Sequence, residues 1–206
     1  MTGTVIDQPP APGRAGLGRG IVPLAIAGLA AAAEFAGDTG RLALRFDQTD
    51  LAAGELWRLV TGHLVHLGPS HLVMNLLALA ILTYVLPSLA RPVDWLFAGL
   101  AAALAIDVGL LVFHPAVDWY VGLSGVLHGF WAAGVVLALG ERRFDSVPLA
   151  LLLLFKLGFE AVFGPVPFSG EVAAGSVVTP AHAWGAAGGV LSALALLAIR
   201  HRRPSL

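Results

Sequence analysis

The chain has 206 residues, 57% of them hydrophobic and 12% charged, with a formal net charge of −1 and a mean hydropathy of +0.82. Soluble domains carry roughly 25% charged residues, so this composition belongs to a membrane protein, and a near-neutral chain without a basic stripe offers nucleic acid no footing. Cysteine is absent, which excludes disulfide and thiolate-metal frameworks, and the length suits one compact bundle without a second domain.

Residues 1–20 are rich in proline and glycine and lack apolar periodicity, which predicts a flexible cytoplasmic tail. Arg14 and Arg19 before an apolar run also outline a signal peptide, but removing it would leave an odd number of spans. A membrane helix takes about 20 largely apolar residues, and six such segments follow, over 21–37, 70–88, 93–113, 124–140, 147–164 and 180–199. Pro87 to Pro92, His114 to Asp118, Glu141 to Asp145 and Gly164 to Pro167 separate the later ones.

The first connection, 38–69, is too long and apolar to be mere linker. Leu51, Leu56, Trp57, Leu59 and Val60 suit a short interfacial helix, with Trp57 and Arg58 as headgroup-level anchors. With the N-terminus inside, Arg14, Arg19, Arg91, Arg142, Arg143, Arg200, Arg202 and Arg203 are cytoplasmic, whereas Arg41, Arg45 and Arg58 are outside. That bias sets the direction. The expected architecture is an all-α membrane protein: a six-helix bundle over 21–200, a short basic tail over 201–206, and both termini cytoplasmic.

On this topology three outside-to-inside spans begin with polar groups. Ser124, in Gly122-Leu123-Ser124-Gly125, opens the fourth span, His182 opens the sixth, and His71 and Asn75 share a face of the second. Peptide hydrolysis needs a nucleophile, a base and donors for a developing oxyanion. Ser124 at a helix start can be the nucleophile; a serine that merely helps helices pack is the bland alternative. An imidazole inside a span is a functional-site hypothesis by default, and Gly185 and Gly189 after His182 form a GxxxG face that would bring the sixth helix close to the fourth.

His71 and Asn75 can donate to an oxyanion, or simply satisfy one another. His66 reads as a brace for the outer loop, His63 as interfacial, and His114 and His201 as incidental. His128, one turn after Ser124, could orient His182 by stacking or compete with it as base. Lys156 and Glu160, four residues apart, are expected to neutralise each other, and Asp107 and Glu34 have no assignable partner. No carboxylate is expected near the serine and histidine, which favours a Ser–His dyad. No metal or other cofactor is implied.

Together these motifs resemble the rhomboid family of intramembrane serine proteases, from Trp57 to about Gly189. Its Trp-Arg matches Trp57-Arg58, its H-x4-H-x3-N matches His66, His71 and Asn75, its G-x-S-G matches Gly122 to Gly125, and its A-H-x-x-G-x3-G matches Ala181, His182, Gly185 and Gly189. The resemblance implies Ser124 as nucleophile, His182 as base, and His71 and Asn75 as oxyanion donors beside the Ser124 N–H, with Gly122 and Leu123 positioning substrate.

Many rhomboids have tyrosine where this chain has His128. That departure, the string from Trp57 to Leu67 and the small size resemble the bacterial rhombosortases. This subgroup implies a membrane-anchored exported substrate with a C-terminal Gly-Gly motif, and an inner-membrane enzyme whose site opens to the periplasm. The fifth span and the loop around Phe168 are the expected gate. Two rival readings are a catalytically inactive client-binding relative and a metal or haem protein ligated by His63, His66, His71, His128 and His182.

Overall fold

The computed structural model describes residues 15–167 and 177–202, with side chains from residue 18 onward. The expected gate residue Phe168 lies outside the described residues, as does most of each expected tail. In chain order the elements are α1 (Ala15–Phe35), α2 (Gly37–Leu44), β1 (Phe46–Asp47), α3 (Gln48–Ala52), α4 (Arg58–Thr61), α5 (Pro69–Val85), α6 (Pro92–Phe113), β2 (Trp119–Tyr120), α7 (Ser124–Gly140), a 3-10 turn (Phe144–Ser146), α8 (Val147–Phe163) and α9 (Thr179–His201). Six of these helices match the six predicted segments to within a few residues, except that α1 starts six residues before its segment.

Four described helices are long and apolar enough to cross a membrane: Gly18–Phe35, Pro92–Phe113, Phe144–Phe163 and Thr179–His201. The other two apolar helices, α5 and α7, have 17 residues each, about 25 Å of helix. These shorter helices are the ones that carry His71, Asn75 and Ser124.

The core is centred on α7, which is buried on most sides and packs against α9, α6 and α5. Small residues make this possible. A Cβ on Gly185 would collide with the carbonyl of Gly125, one on Gly189 with the carbonyl of Gly129, and one on Gly188 with that of Ala101. The backbones of α7 and α9 therefore touch, which is the close approach the GxxxG spacing predicts. Away from this seam large side chains fill the space. Trp95 of α6 meets Phe130 of α7 edge to face at 4.8 Å and donates its indole N–H to Leu89 O.

One end of the bundle is tied by charge. Arg200 at the end of α9 pairs with Asp94 of α6 at 2.9 Å and with Glu141, just past α7, at 2.7 Å, and Asp94 also takes Arg91. Arg19 of α1 donates to the carbonyls of Thr83 and Tyr84, closing the last turn of α5. Ser124, His182, His71 and Asn75 lie toward the opposite end.

The connection between α1 and α5 is more ordered than the sequence suggests. It contains three short helices and a two-residue strand that pairs antiparallel with β2 from the connection between α6 and α7, Phe46 opposite Tyr120 and Asp47 opposite Trp119, so the chain is not wholly α. Arg58 is not a headgroup anchor. It is buried, pairs with Asp50 and Glu55, and donates to Leu42 O and Arg45 O, so its five-donor fork clamps the whole loop. Trp57, half exposed, fits the interfacial role and donates its indole N–H to Ala43 O.

Candidate active site

Ser124 is the first residue of α7, and the chain reaches it through a turn that only glycine permits. Gly122 has φ +121°, and a Cβ there would meet the His71 ring. The first bond of α7 runs from Leu127 N–H to Leu123 O. The N–H of Ser124, ahead of that bond, has no acceptor within the helix and points with the positive end of the helix dipole.

His182 is the fourth residue of α9, and the glycine seam sets it level with Ser124. Its Nε2 lies 3.0 Å from Ser124 Oγ and its Nδ1 2.8 Å from Glu160 Oε2. A carboxylate only accepts, so the hydrogen of the neutral ring sits on Nδ1. That leaves Nε2 as a bare lone pair facing the serine hydroxyl. Hydroxyl, imidazole and carboxylate stand in line.

Glu160 overturns the expectation that no carboxylate approaches the pair. The pair with Lys156 that the spacing predicts exists, at 2.5 Å, but through Oε1, which leaves Oε2 for the histidine. Glu160 comes from α8, 22 residues before His182 in the chain, so no local spacing reveals the contact.

The oxyanion candidates follow the same donor logic. Leu67 N–H donates to His71 Nδ1 at 3.3 Å, so the neutral His71 ring carries its hydrogen on Nε2. The Cε1–Nε2 edge is the one that lies against Gly122. Asn75 donates one Nδ2–H back to His71 O at 3.0 Å, and the amide has a second. Asn75→Ala is expected to cost about 10²–10³ in turnover, as loss of one oxyanion donor does, with little change in melting temperature; steady-state cleavage in detergent checks it.

His66 is buried and meets the His71 ring edge to face at 5.0 Å. Burial, then the neighbouring His71, pushes its imidazole down to about 3; neither ring nitrogen has a hydrogen-bond partner, so this neutral ring packs against His71 and does not brace the loop by hydrogen bonding as expected. His128 stacks on His182, with ring centroids 4.2 Å apart and planes 15° from parallel, and donates Nδ1–H to Ser124 O at 2.7 Å. Stacked flat, it cannot reach the serine proton as a base while its neighbour holds that position. His128→Tyr is therefore expected to keep activity within about tenfold, because an aromatic ring still fills the stack; a complete loss in the same cleavage assay would contradict a purely packing role.

One residue is not singled out by any sequence pattern. Tyr120, fully buried, donates its hydroxyl to Gly122 O at 2.6 Å, and burial raises its phenol so that it stays protonated. Its ring meets His63 at 5.6 Å, and His63 Nε2 bonds Asp107 Oδ1 at 3.2 Å. His63 and Asp107, read as interfacial and unpartnered, thus back the nucleophile loop through Tyr120. The other unassigned acid, Glu34, lies 4.0 Å from Arg41.

Two cavities meet at Ser124. One, about 260 Å³, is lined by Leu67, His71, Asp118, Trp119, Tyr120 and Ser124 and is as polar as apolar. The other, about 370 Å³, is an apolar groove between α5 and α8 lined by Met74, Asn75, Ile81, Leu152, Lys156 and His182, again with Ser124 and His71. The hydroxyl is reachable both from a polar space and from a greasy one.

His128, Glu160 and His182 are the one described trio whose ligand atoms lie within 4.8 Å of each other. They suit a metal poorly. Imidazole lone pairs lie in the ring planes, and two rings stacked nearly parallel direct theirs past one another. The five histidines of the metal or haem reading do not converge either: His63 is on Asp107, His66 on His71 and His128 on His182.

Comparison with known proteins gives the family of the chain. A Rhomboid domain model matches residues 53–199, well over half of the chain. The chain belongs to the rhomboid family. With its apolar helices, this rhomboid is an integral membrane protein. It is 29% identical over 126 residues to Rhomboid protease GluP of Bacillus subtilis, covering 59% of this chain and 24% of GluP. It is 22% identical over 153 residues to Putative rhomboid protease YdcA of the same organism, covering 74% and 73%. An uncharacterized protein of Mycobacterium tuberculosis, Rv1337, is 28% identical over 158 residues, covering 73% of this chain and 63% of that one. The match spans only about a quarter of GluP's length.

Proposed function

We propose that this rhomboid is an intramembrane serine endopeptidase with Ser124 as nucleophile and His182 as base. One observation carries the reading: the bare Nε2 of His182 lies 3.0 Å from Ser124 Oγ where a partly polar cavity and an apolar groove join. Hydrolysis inside a bilayer needs this junction, because the substrate is apolar and the second reactant is water. An aligned serine and base also remove the motive for an inactive client-binding role.

A substrate membrane segment enters the groove between α5 and α8 and unwinds locally, since an intact helix shields its carbonyls. As Oγ bonds to the scissile carbonyl carbon, its proton passes to His182 Nε2. The resulting oxyanion is held by the Ser124 N–H, His71 Nε2–H and Asn75 Nδ2–H. His182 then protonates the leaving amine, and a water from the polar cavity, deprotonated by His182, releases the acyl group.

The topology proposed is six spans with both termini cytoplasmic, in a bacterial inner membrane with the site facing the periplasm. It rests on the arginine bias and on the Arg91, Arg200 and Glu141 network at the end opposite Ser124. The narrower proposal is rhombosortase-type processing of exported proteins with a Gly-Gly-containing C-terminal anchor, supported by His128 and the two strings around it and Trp57. Co-expression with such a protein tests it. Mass spectrometry should find a truncated C-terminus with the wild type and the intact anchor with Ser124→Ala; an anchor untouched by the wild type would refute the subgroup assignment.

A further inference from the structure

The line from Ser124 to His182 continues into a residue on a different helix, one of the two least buried spans of the bundle. Of the 17 residues of α8 only Leu153 and Glu160 are buried. Leu153 seats the helix in a small cluster with Ala132 of α7 and Ala186 of α9. Trp131 of α7 donates its indole N–H to Leu149 O, near the start of α8. At the far end Glu160 reaches His182. Leu149, Ala150, Lys156, Leu157 and Phe159 are half-buried, and the outer face, including Leu151, Leu154, Phe155 and Phe163, is exposed and apolar. α8 also forms one wall of the groove through which a substrate segment reaches Ser124.

We infer that Glu160 is a positioning residue that completes a Ser124–His182–Glu160 triad, and that it ties the setting of the base to the seating of α8. The inference rests on the reading of Ser124 and His182 above. Glu160 stays ionised throughout, and no proton passes to it. Oε2 fixes the Nδ1–H tautomer and ring orientation and faces the positive charge that develops on His182, while Lys156 on Oε1 fixes the rotamer of the carboxylate. When α8 tilts away to admit a substrate, the carboxylate leaves with it and the base loses its orientation. Its return reassembles the triad around the bound segment, so an open groove is a catalytically idle one.

The labelling rate of purified protein by a small fluorophosphonate measures the nucleophile without needing the groove. Glu160→Gln is expected to slow labelling by about 10²-fold or more and to lower kcat on a membrane-anchored substrate to match, with KM unchanged. A carboxylate that only held the helices together would instead lower the melting temperature and spare the labelling rate of the folded fraction. Leu153→Ala unseats α8 without touching His182 and is expected to slow labelling about tenfold. In the Glu160→Gln background it should add nothing, because the link it loosens is already cut.

Wild-type labelling in folded Glu160→Gln would overturn the triad, and multiplicative losses in the double variant would overturn the coupling to α8. Ser124→Ala separates these failures from a wrong active site: if it labels as fast as the wild type, the underlying reading fails, not merely this extension.

Discussion

Replacing Ser124 with alanine is expected to lower cleavage of a membrane-anchored substrate by about 10⁴-fold or more, and His182→Ala by a comparable factor, because a nucleophile and its base act as one unit and their losses do not add. The basis is the 3.0 Å contact between Nε2 and Oγ. Without the imidazole the hydroxyl keeps its proton and is a poor nucleophile; without the hydroxyl the imidazole has nothing to activate but water. Ser124→Ala disturbs packing little, since Ser124 opens its helix beside a cavity, and is expected to melt within a few degrees of the wild type. His182→Ala leaves His128 without its stacking partner and Glu160 Oε2 without its donor, so it is expected to melt lower, and its rate is read on the folded fraction. Initial rates in proteoliposomes are expected to collapse in both. A Ser124→Ala protein that retains even a few per cent of the wild-type rate contradicts the assignment.

Gly185→Val is expected to destroy activity by a different route, pushing the two catalytic helices apart. The space a Cβ needs at position 185 is occupied by the carbonyl of Gly125, the residue after the nucleophile. Backbone cannot yield as a flexible side chain can. Overpacking of this kind costs about 1–3 kcal/mol or more, and relief requires α9 to move, carrying His182 away from Ser124. A misplacement of about 1 Å in a catalytic pair costs about 10² in rate, so activity should fall at least that far, with a clear drop in melting temperature. Gly158→Ala on α8 is the control, since a Cβ there meets nothing within 4 Å; it should leave both readings unchanged. Thermal unfolding and cleavage measured on the same preparations check the pair.

These two predictions draw on the part of the molecule that is legible in sequence. Ser124, His182, the His71–Asn75 face and the Gly185–Gly189 seam are written as local patterns: a helix start, an i,i+4 pair, a GxxxG spacing. Their meeting follows once the helices are laid side by side. Glu160 could not be read this way. Its i,i+4 lysine offered a sufficient local partner, and nothing in the spacing says that one carboxylate oxygen faces α9 instead. Asp107 and His63 are separated by 44 residues, so each looked solitary.

Arg58 misled for the complementary reason. Beside Trp57 in an apolar loop it has the composition of an interfacial anchor, whereas its role depends on the carbonyls of Leu42 and Arg45, aimed by a fold of the loop that hydropathy does not encode. The ribbon between Phe46–Asp47 and Trp119–Tyr120 is too short to leave a periodic signature. Long-range polar pairing was the illegible part, and the helices and their small-residue contacts were the legible one.

The central claim is that the Ser124 hydroxyl is activated by the His182 imidazole within the bundle. Peptide mapping of the protein after fluorophosphonate treatment in proteoliposomes tests it most directly. The account predicts a single adduct on Ser124 in the wild type and essentially none in folded His182→Ala. An adduct on another residue, or Ser124 modified as fast without His182 as with it, would contradict the account.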